Sequence, residues 1–229
     1  MSEFSLSRRL VGEVLGTGFL LAIVVGSGIM GERLAGGNIA VALLANSIAT
    51  GTGLIALILM LGSISGAHFN PVVSMVEAMR GNISIGDMVL YVLAQILGAF
   101  LGVAAAHLMF AQDIISFSAH VRSGPAQLFS EFVATFGLVA VIRGVGRNHK
   151  AEVPYAVGAY ITAAYWFTAS TSFANPAVTL ARAFTATFSG IRPVDIPGFW
   201  ISQVLGGLAA EFLFRWFQPL PNFRKEIGS

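Results

Sequence analysis

Residues 170–189 read STSFANPAVTLARAFTATFS and lie in a very apolar chain. Small and polar residues come first, and Asn175-Pro176 then opens an apolar run. Asn is a preferred N-cap, and Pro suits the first helical position because its missing N–H is not needed there. The pattern predicts a short helix that begins at Asn175. Non-helical backbone at membrane depth is tolerated only where protein covers it or water reaches it, so this segment suggests a polar pathway.

The same arrangement occurs earlier, where residues 65–72 read SGAHFNPV. Asn70-Pro71 and Asn175-Pro176 are the two Asn-Pro pairs of the sequence, and each lies in one half of the chain. Two unrelated turns would be a simpler explanation, since Asn-Pro often opens a turn. The similarity extends beyond the pairs, however, which favours a repeated unit.

The composition indicates an integral membrane protein. Of the 229 residues, 55% are hydrophobic and 10% charged, and the mean hydropathy is +0.78; soluble domains carry about 25% charged residues. The net charge of +2 is too small to suggest a nucleic-acid partner. The chain has no cysteine, which excludes disulfides, thiolate metal sites and a cysteine nucleophile. Because no catalytic triad, phosphate loop or metal-ligand spacing is present either, we expect no cofactor, no metal and no enzymatic activity.

Six apolar runs are long enough to cross a bilayer, which takes about 20 residues as a helix. They are residues 10–30, 39–61, 88–110, 128–145, 154–169 and 196–217. The segments 70–80 and 175–188 are too short to span. The first run is too long for the apolar core of a signal peptide, and further spans follow it, so we expect it to be retained.

The placement of Lys and Arg predicts the orientation. With the amino end inside, nine of the 13 basic residues fall on the cytoplasmic side, so both termini are predicted to be cytoplasmic. The nine are Arg8, Arg9, Arg80, Arg143, Arg147, Lys150, Arg215, Arg224 and Lys225. The segment of Asn70 then enters from the cytoplasm, and the segment of Asn175 enters from outside.

The two halves repeat one order of elements: span, span, short helix, span. A Glu-x-x-x-Thr motif begins at Glu13 and again at Glu131, and a Gln-x-Leu-Gly motif begins at Gln95 and again at Gln203. Three spans per half give the halves opposite topologies. Inverted repeats place a shared site near the midplane, where the broken elements meet.

We place the repeats at about residues 8–112 and 126–218 within one domain of residues 1–229. Two helix N-termini would face each other at the midplane, and their partial positive charges oppose cations, including protons. The amides of Asn70 and Asn175 can donate to a passing neutral oxygen, although each could also be a simple N-cap. We expect these helix ends alone to exclude protons.

The sequence resembles the aquaporin superfamily, the major intrinsic protein family, over about residues 10–217. The resemblance rests on the two Asn-Pro boxes, Ser-Gly-Ala-His before the first box and the paired Glu-x-x-x-Thr motifs. It implies an all-α membrane protein with six transmembrane helices and two re-entrant half-helices in an inverted repeat. It also implies a homotetramer with one pore in each protomer, embedded in the lipid bilayer of the plasma (inner) membrane.

The resemblance also implies roles for individual residues. The pore midplane would be formed by Asn70, Pro71, Val72, Asn175, Pro176 and Ala177. His68 would lie in the cytoplasmic vestibule, unless it is only a hydrogen-bonded packing residue. Glu13 and Glu131 would accept hydrogen bonds from loop N–H groups, although buried acids can also form a proton relay.

Two positions depart from the family pattern. The first box ends in Val72 instead of alanine, which we expect to repack the midplane contact. Val178 stands where most members carry the arginine of the outer selectivity filter. Counting back from the boxes gives the other filter positions as Thr50, Ala163 and Ser172. We therefore expect a wide filter without charge or aromatic ring, and we expect Arg182 to point away from the pore mouth.

The predicted function is a passive, bidirectional channel for small uncharged solutes: water, glycerol-like polyols and neutral metalloid hydroxides such as arsenous acid. Residues 175–182 resemble a bacterial branch that is often associated with arsenic resistance. A water-selective channel would need a ring such as Phe173 or Phe167 to narrow the mouth. A proton-coupled transporter would use Glu13 and Glu131 and show pH-driven uptake, and a closed membrane scaffold is disfavoured by the Asn-Pro pairs.

Overall fold

The computed structural model describes residues 4–217 of the chain. In this range the chain forms eight α-helices and no strand. The helices are α1 Leu6–Leu34, α2 Ile39–Ser65, α3 Pro71–Met79, α4 Ile85–Met109, α5 Pro125–Gly146, α6 Val153–Phe167, α7 Pro176–Ala181 and α8 Ile196–Trp216. Arg224 and Lys225, which contribute to the predicted orientation, and residue 218, the predicted end of the second repeat, lie outside the described residues.

The prediction of an all-α membrane fold is confirmed. Among the described residues, five segments are long and apolar enough to cross a membrane, namely α1, α2, α4, α5 and the segment Pro193–Trp216 that contains α8. The predicted fifth span corresponds to α6, which has 15 residues and is therefore about 22 Å long. It is shorter than the roughly 20 residues that a straight span takes.

The two short helices begin where the Asn-Pro pairs predict. Asn70 Oδ1 accepts a hydrogen bond from the N–H of Val72 at 2.9 Å, and Asn175 Oδ1 accepts one from the N–H of Ala177 at 3.0 Å. The second helix ends earlier than residue 188, because the chain tightens into a 3₁₀ turn at Arg182–Phe184.

Each half packs its first and last helix together at a glycine. A Cβ atom on Gly98 of α4 would lie 2.3 Å from the carbonyl oxygen of Val14 in α1. A Cβ atom on Gly206 of α8 would lie 2.3 Å from the carbonyl oxygen of Phe132 in α5. Glycine at these crossings lets the two backbones approach closely, as is common for helices in lipid.

Candidate functional site

Glu13 supports the loop that leads into α3. Its side chain is 0% exposed, and both carboxylate oxygens accept hydrogen bonds. Oε1 accepts from the hydroxyl of Ser65 at 2.7 Å and from the N–H of His68 at 3.0 Å. Oε2 accepts from the N–H of Phe69 at 2.7 Å and from Nε2 of Gln95 at 2.8 Å. The carboxylate thereby satisfies two consecutive loop N–H groups that have no helical partner.

Glu131 does the same for the loop that leads into α7. Its side chain is also 0% exposed. Oε1 accepts from the N–H of Phe173 at 2.9 Å, and Oε2 accepts from the N–H of Ala174 at 2.9 Å and from Nε2 of Gln203 at 2.6 Å. In both acids, therefore, donors occupy the two oxygens, which fits a structural acceptor better than a proton relay.

Gln95 and Gln203 connect the two carboxylates to the short helices by hydrogen bonds. Nε2 of Gln95 donates to the hydroxyl of Ser74 at 2.9 Å, and Nε2 of Gln203 donates to the hydroxyl of Thr179 at 2.8 Å. Each hydroxyl residue lies four positions after the asparagine of its box. The inverted repeat therefore extends to individual hydrogen bonds.

Both loops contain non-glycine residues in the left-handed backbone region. Their φ values lie between 48° and 60°, a conformation that costs about 1–3 kcal/mol for each residue. The residues are Ala67, Phe69, Thr171, Ser172 and Ala174. Such strain persists only where the surroundings fix the backbone, and the carboxylates of Glu13 and Glu131 provide bonds of that kind.

The two asparagine amides connect the short helices to each other's loops. Nδ2 of Asn70 donates to the carbonyl oxygen of Ala174 at 2.7 Å, and Nδ2 of Asn175 donates to the carbonyl oxygen of Phe69 at 2.7 Å. A carboxamide has two N–H donors, so one donor on each side chain remains beyond this bond. Both asparagines line the same internal cavity.

The other box residues are packed around this junction. Pro71 and Pro176 occupy the first turns of their helices, and Ala177 is buried. Val72 packs against α8, where a Cβ atom on Gly207 would lie 2.3 Å from its Cγ1. The glycine thereby makes room for a valine in the first box.

The internal cavity has a volume of about 240 Å³. One water molecule needs only about 10–15 Å³ on the same measure, so the cavity can hold a file of small molecules. Its polar or charged lining residues are Thr50, His68, Asn70, Glu77, Tyr165, Ser172, Asn175 and Arg182. His68 joins this lining from the loop before α3, and its Nδ1 lies 3.0 Å from the hydroxyl of Ser74.

Three of the four predicted filter residues line the cavity, namely Thr50, Ser172 and Val178. Ala163 does not, because it is exposed on the other side of α6. The cavity-lining residues of α6 recur every four positions, and the last two are Ile161 and Tyr165.

The assignment of Ala163 to the filter is therefore wrong. Ala163 is two residues from both Ile161 and Tyr165, which places it about 200° around a helix of 3.6 residues per turn. The distance of a residue from the box along the sequence does not account for this periodicity. The four-residue spacing of Val157, Ile161 and Tyr165 is a sequence signal that could have identified Tyr165 instead.

Two aromatic rings and a charge that the sequence did not predict also line the cavity near the predicted filter positions. We use the name mouth cluster for two predicted filter residues, Thr50 and Val178, with three further cavity-lining residues, Tyr165, Phe173 and Arg182. Phe173 follows the predicted filter residue Ser172 in the chain, and the guanidinium of Arg182 lies over its ring. The hydroxyl oxygens of Thr50 and Tyr165 lie 3.1 Å apart and join α2 to α6. The expectation of a filter without charge or aromatic ring is therefore wrong.

Arg182 reaches the cavity because of its length and direction. Helical side chains lean toward the N-terminus, and residues four apart share a face. The arginine side chain is long enough to reach back over one turn of 5.4 Å toward Val178. The expectation that it points away is corrected by its position in the cavity wall, where it is 2% exposed.

Two arginines lie over the ring of Phe173. The Cζ atom of Arg182 is 3.4 Å from the ring centroid, and the Cζ atom of Arg122 is 4.9 Å from it. Arg122 also donates through Nε to the carbonyl oxygen of Gly190 at 2.8 Å and through Nη1 to that of Ser170 at 3.1 Å. Burial lowers the pKa of Arg122 to about 10, so this guanidinium is protonated at neutral pH.

The chain is similar in sequence to known proteins. Residues 1–172 match the family described as major intrinsic protein. The chain is 58% identical over 216 residues to the aquaglyceroporin AqpS of Rhizobium meliloti (strain 1021), covering 94% of this chain and 92% of the relative. It is 30% identical over 251 residues to aquaglyceroporin-3 of Trypanosoma brucei brucei, covering 93% and 79%.

A solved structure gives the same fold. The X-ray structure of the aquaglyceroporin from Plasmodium falciparum matches with a TM-score of 0.71 at 24% identity, covering 93% of this chain and 95% of that chain. The resemblance found in the sequence is thereby confirmed, as is the prediction of a multi-pass integral membrane protein that is not an enzyme. The chain belongs to the major intrinsic protein family of membrane channels.

Proposed function

We propose that the protein is a passive, bidirectional channel for water and small uncharged hydroxyl-bearing solutes, with glycerol-like polyols and neutral metalloid hydroxides such as arsenous acid among them. The observation that carries this proposal is the placement of Asn70 and Asn175. Each amide commits one N–H to the opposite loop and has a second donor available in the shared cavity. These donors suit the oxygen atoms of a neutral solute.

The rest of the cavity wall supports a solute with both hydroxyl and apolar faces. Long apolar side chains from α1, α2, α5 and α6 line the cavity, namely Leu20, Val24, Leu54, Ile58, Leu138, Ile142, Val157 and Ile161. A few polar groups within an apolar wall are typical of sites that orient small molecules. A polyol can place its hydroxyls toward the amides and its carbon atoms toward these side chains.

The comparisons add support for the polyol. The relative with 58% identity and two further similar proteins are named aquaglyceroporins. For arsenous acid the support is chemical, because its neutral form resembles glycerol in size and in its display of hydroxyl groups. The resemblance of residues 175–182 to a branch associated with arsenic resistance points to the same solute.

The mouth cluster favours a second candidate, a water-selective channel. Tyr165 and Phe173 supply rings of the kind that such a channel needs, and Arg182 supplies a charge. In this alternative the Thr50–Tyr165 hydrogen bond holds α2 and α6 close enough to exclude a polyol. The two candidates differ in the solutes that pass, which permeability measurements can decide.

Stopped-flow light scattering on proteoliposomes tests the proposal with water, glycerol and arsenous acid. We expect wild type to pass all three. Val178→Arg places a long cation inside the mouth cluster, so glycerol and arsenous acid permeability should fall about tenfold or more while water flow persists. Val194→Arg adds the same charge at an exposed position and should leave all three unchanged.

Two outcomes would remove the proposal. If wild type passes only water, the water-selective channel is the better description, and both the polyol and the metalloid proposals should be dropped. If wild type accumulates solute against its gradient when a pH difference is imposed, the protein is a transporter and not a passive channel.

We also propose that the protein is a homotetramer in the plasma (inner) membrane, with both termini cytoplasmic and repeats at about residues 8–112 and 126–218. The paired hydrogen bonds of Glu13 and Glu131 support the repeats. Since the chain has no cysteine, single introduced cysteines can test the orientation. Ser123→Cys and Asn148→Cys alter exposed loop positions that should lie outside and inside, so an impermeant thiol reagent should label only the first in intact cells.

A further inference from the structure

Arg182 is buried at the cavity with most of its donors uncommitted. Within residues 4–217, one hydrogen bond is recorded for its side chain, from Nε to the carbonyl oxygen of Ser189. A guanidinium has five N–H donors, so four remain on Nη1 and Nη2. Neither nitrogen is among the buried polar atoms of this range that lack a partner, and the side chain lines the cavity. The free donors are therefore open to molecules in the cavity.

The stack on Phe173 fixes the position of this cation. The ring centroid is 3.4 Å from Cζ of Arg182, and the ring also packs edge-on against Phe199 at 5.3 Å. The backbone N–H of Phe173 is bonded to Glu131. The guanidinium therefore lies on a surface that is itself held at two places, and this restricts its motion across the cavity.

Arg122 lies near the same ring but has a different environment. It is not a cavity-lining residue, and it donates to the carbonyl oxygens of Gly190 and Ser170. These bonds connect the loop before α5 with the loops on either side of α7. Arg122 therefore holds these loops together, whereas Arg182 lies in the cavity wall.

The positive charge of this region is not neutralised by an ion pair. None of the salt bridges among residues 4–217 includes Arg182 or Arg122. Buried charges are unusual without a partner, because burial removes them from water. An unpaired cation in a cavity wall repels other cations at short range, where water screens the interaction poorly.

We propose that Arg182 is the charge filter of the mouth cluster: it rejects small organic cations and donates hydrogen bonds to the oxygen atoms of neutral solutes. This inference rests on the proposed function, since a mouth that admits glycerol is also wide enough for guanidinium or methylammonium. Size cannot separate these molecules, so the discrimination requires charge. Val178 leaves room beside the path, and Arg182 supplies the cation from one turn further along the chain.

Proteoliposomes containing full-length protein test the proposal. Uptake of radiolabelled guanidinium and methylammonium is measured beside water and glycerol permeability for wild type, Arg182→Met and Arg182→Lys. Arg182→Met keeps the length of the side chain and removes its charge, so cation uptake should rise about tenfold or more. Glycerol permeability should stay within about threefold, and Arg182→Lys should still exclude both cations because it keeps the charge.

Arg33→Met is the matched control. Arg33 also lies over an aromatic ring, with its Cζ atom 5.3 Å from the centroid of Phe110, and it donates to the carbonyl oxygen of Phe110 at 2.9 Å. It does not line the cavity. Its replacement should leave cation and glycerol permeability at the wild-type level.

The outcomes separate this inference from the proposed function. If Arg182→Met passes glycerol and still excludes both cations, the charge-filter role is wrong. If Arg182→Met does not insert, Arg182→Gln, which is also neutral but keeps hydrogen-bond donors, gives the same comparison. If wild type passes water but no glycerol, the proposed solute range is wrong. The cation uptake of the variants is then compared with their water permeability, and the charge-filter role is tested separately.

Discussion

The loops before Asn70 and Asn175 have the same internal chemistry but different surroundings. In each loop a buried carboxylate accepts two consecutive backbone N–H groups, a glutamine joins that carboxylate to a hydroxyl on the short helix, and the asparagine amide reaches the opposite loop. The repeated bonds hold strained backbone in place. The features that are not repeated determine what a solute meets.

The differences are concentrated at the second loop. The first loop presents His68, which packs against the ring of Tyr91 at 5.1 Å and lies beside Ser74. The second presents Phe173 with two arginines over its ring, and its helix has six residues where the first has nine. The two loops therefore share one scaffold, and under the proposed function selectivity would depend on the side chains that differ between them.

The largest expected effect tests whether the two acids are equivalent. Glu13→Gln and Glu131→Gln each place an amide against buried donors, which should lower the free energy of unfolding by about 3 kcal/mol or more. The carboxylate of Glu13 accepts hydrogen bonds from four donors and that of Glu131 from three. Glu13→Gln should therefore lower the free energy of unfolding by about 1 kcal/mol more than Glu131→Gln. Thermal unfolding in detergent, read by fluorescence or by the folded fraction on size exclusion, measures both.

Glu152→Gln is the control for this pair, because its side chain is exposed and should tolerate the change. A stable Glu131→Gln protein that has lost solute flow would contradict the structural role of this acid. That result would revive the proton-relay hypothesis for one half of the molecule only, and the two loops would then differ in chemistry as well as in surroundings.

The sequence predicted the starts of the two short helices well because its signals are local and occur twice. An Asn N-cap followed by Pro defines a helix start without any knowledge of tertiary contacts. The order of Glu13, the first Asn-Pro box and Gln95 is also repeated by Glu131, the second box and Gln203. The structure therefore joins residues that the repeat had already paired. The predicted roles of these residues in transport remain proposals.

The mouth cluster was predicted poorly because it depends on distances between elements. Counting from the box led to Ala163, whereas the helical periodicity of α6 brings Tyr165 to the cavity. The position of Arg182 depends on the side chain leaning back over one turn and on a ring, Phe173, that is available for stacking. Neither condition can be read from the position of a residue relative to a motif.

A second prediction tests the equivalence of the helix pairs that carry the two loops. Gly98→Ala and Gly206→Ala would each push a methyl group to within 2.3 Å of a backbone carbonyl oxygen. Backbone cannot move as a flexible side chain can, so each change should destabilise the fold by about 1–3 kcal/mol. If the two halves pack alike, thermal unfolding should show the same loss of stability in the two variants.

Gly62→Ala serves as the control for these glycines. A Cβ atom there would have no neighbour within 4 Å, and alanine is favoured over glycine in a helix by about 1 kcal/mol. This variant should be as stable as wild type or slightly more stable. A loss of stability in Gly98→Ala without a loss in Gly206→Ala would show that only one helix pair depends on the close approach of its backbones.

The smallest expected effect concerns the hydrogen bond between Thr50 and Tyr165, which belongs to the mouth cluster and not to the repeat. Thr50→Val and Tyr165→Phe each remove one of the two hydroxyls with little change of shape. Each should lower the free energy of unfolding by about 0.5–1 kcal/mol. The cost is at the low end because both residues line the cavity, so water can bond to the remaining hydroxyl.

The double variant decides whether this bond controls the width of the mouth. If the bond holds α2 and α6 together, the double variant should lose no more free energy of unfolding than the larger of the two single changes. Glycerol permeability should then rise by up to about threefold in all three variants. If the costs add and the glycerol permeability does not change, the two hydroxyls act independently. The width would then be set by the rings of Tyr165 and Phe173 themselves, and selectivity would depend on shape and on Arg182 without a contribution from this bond.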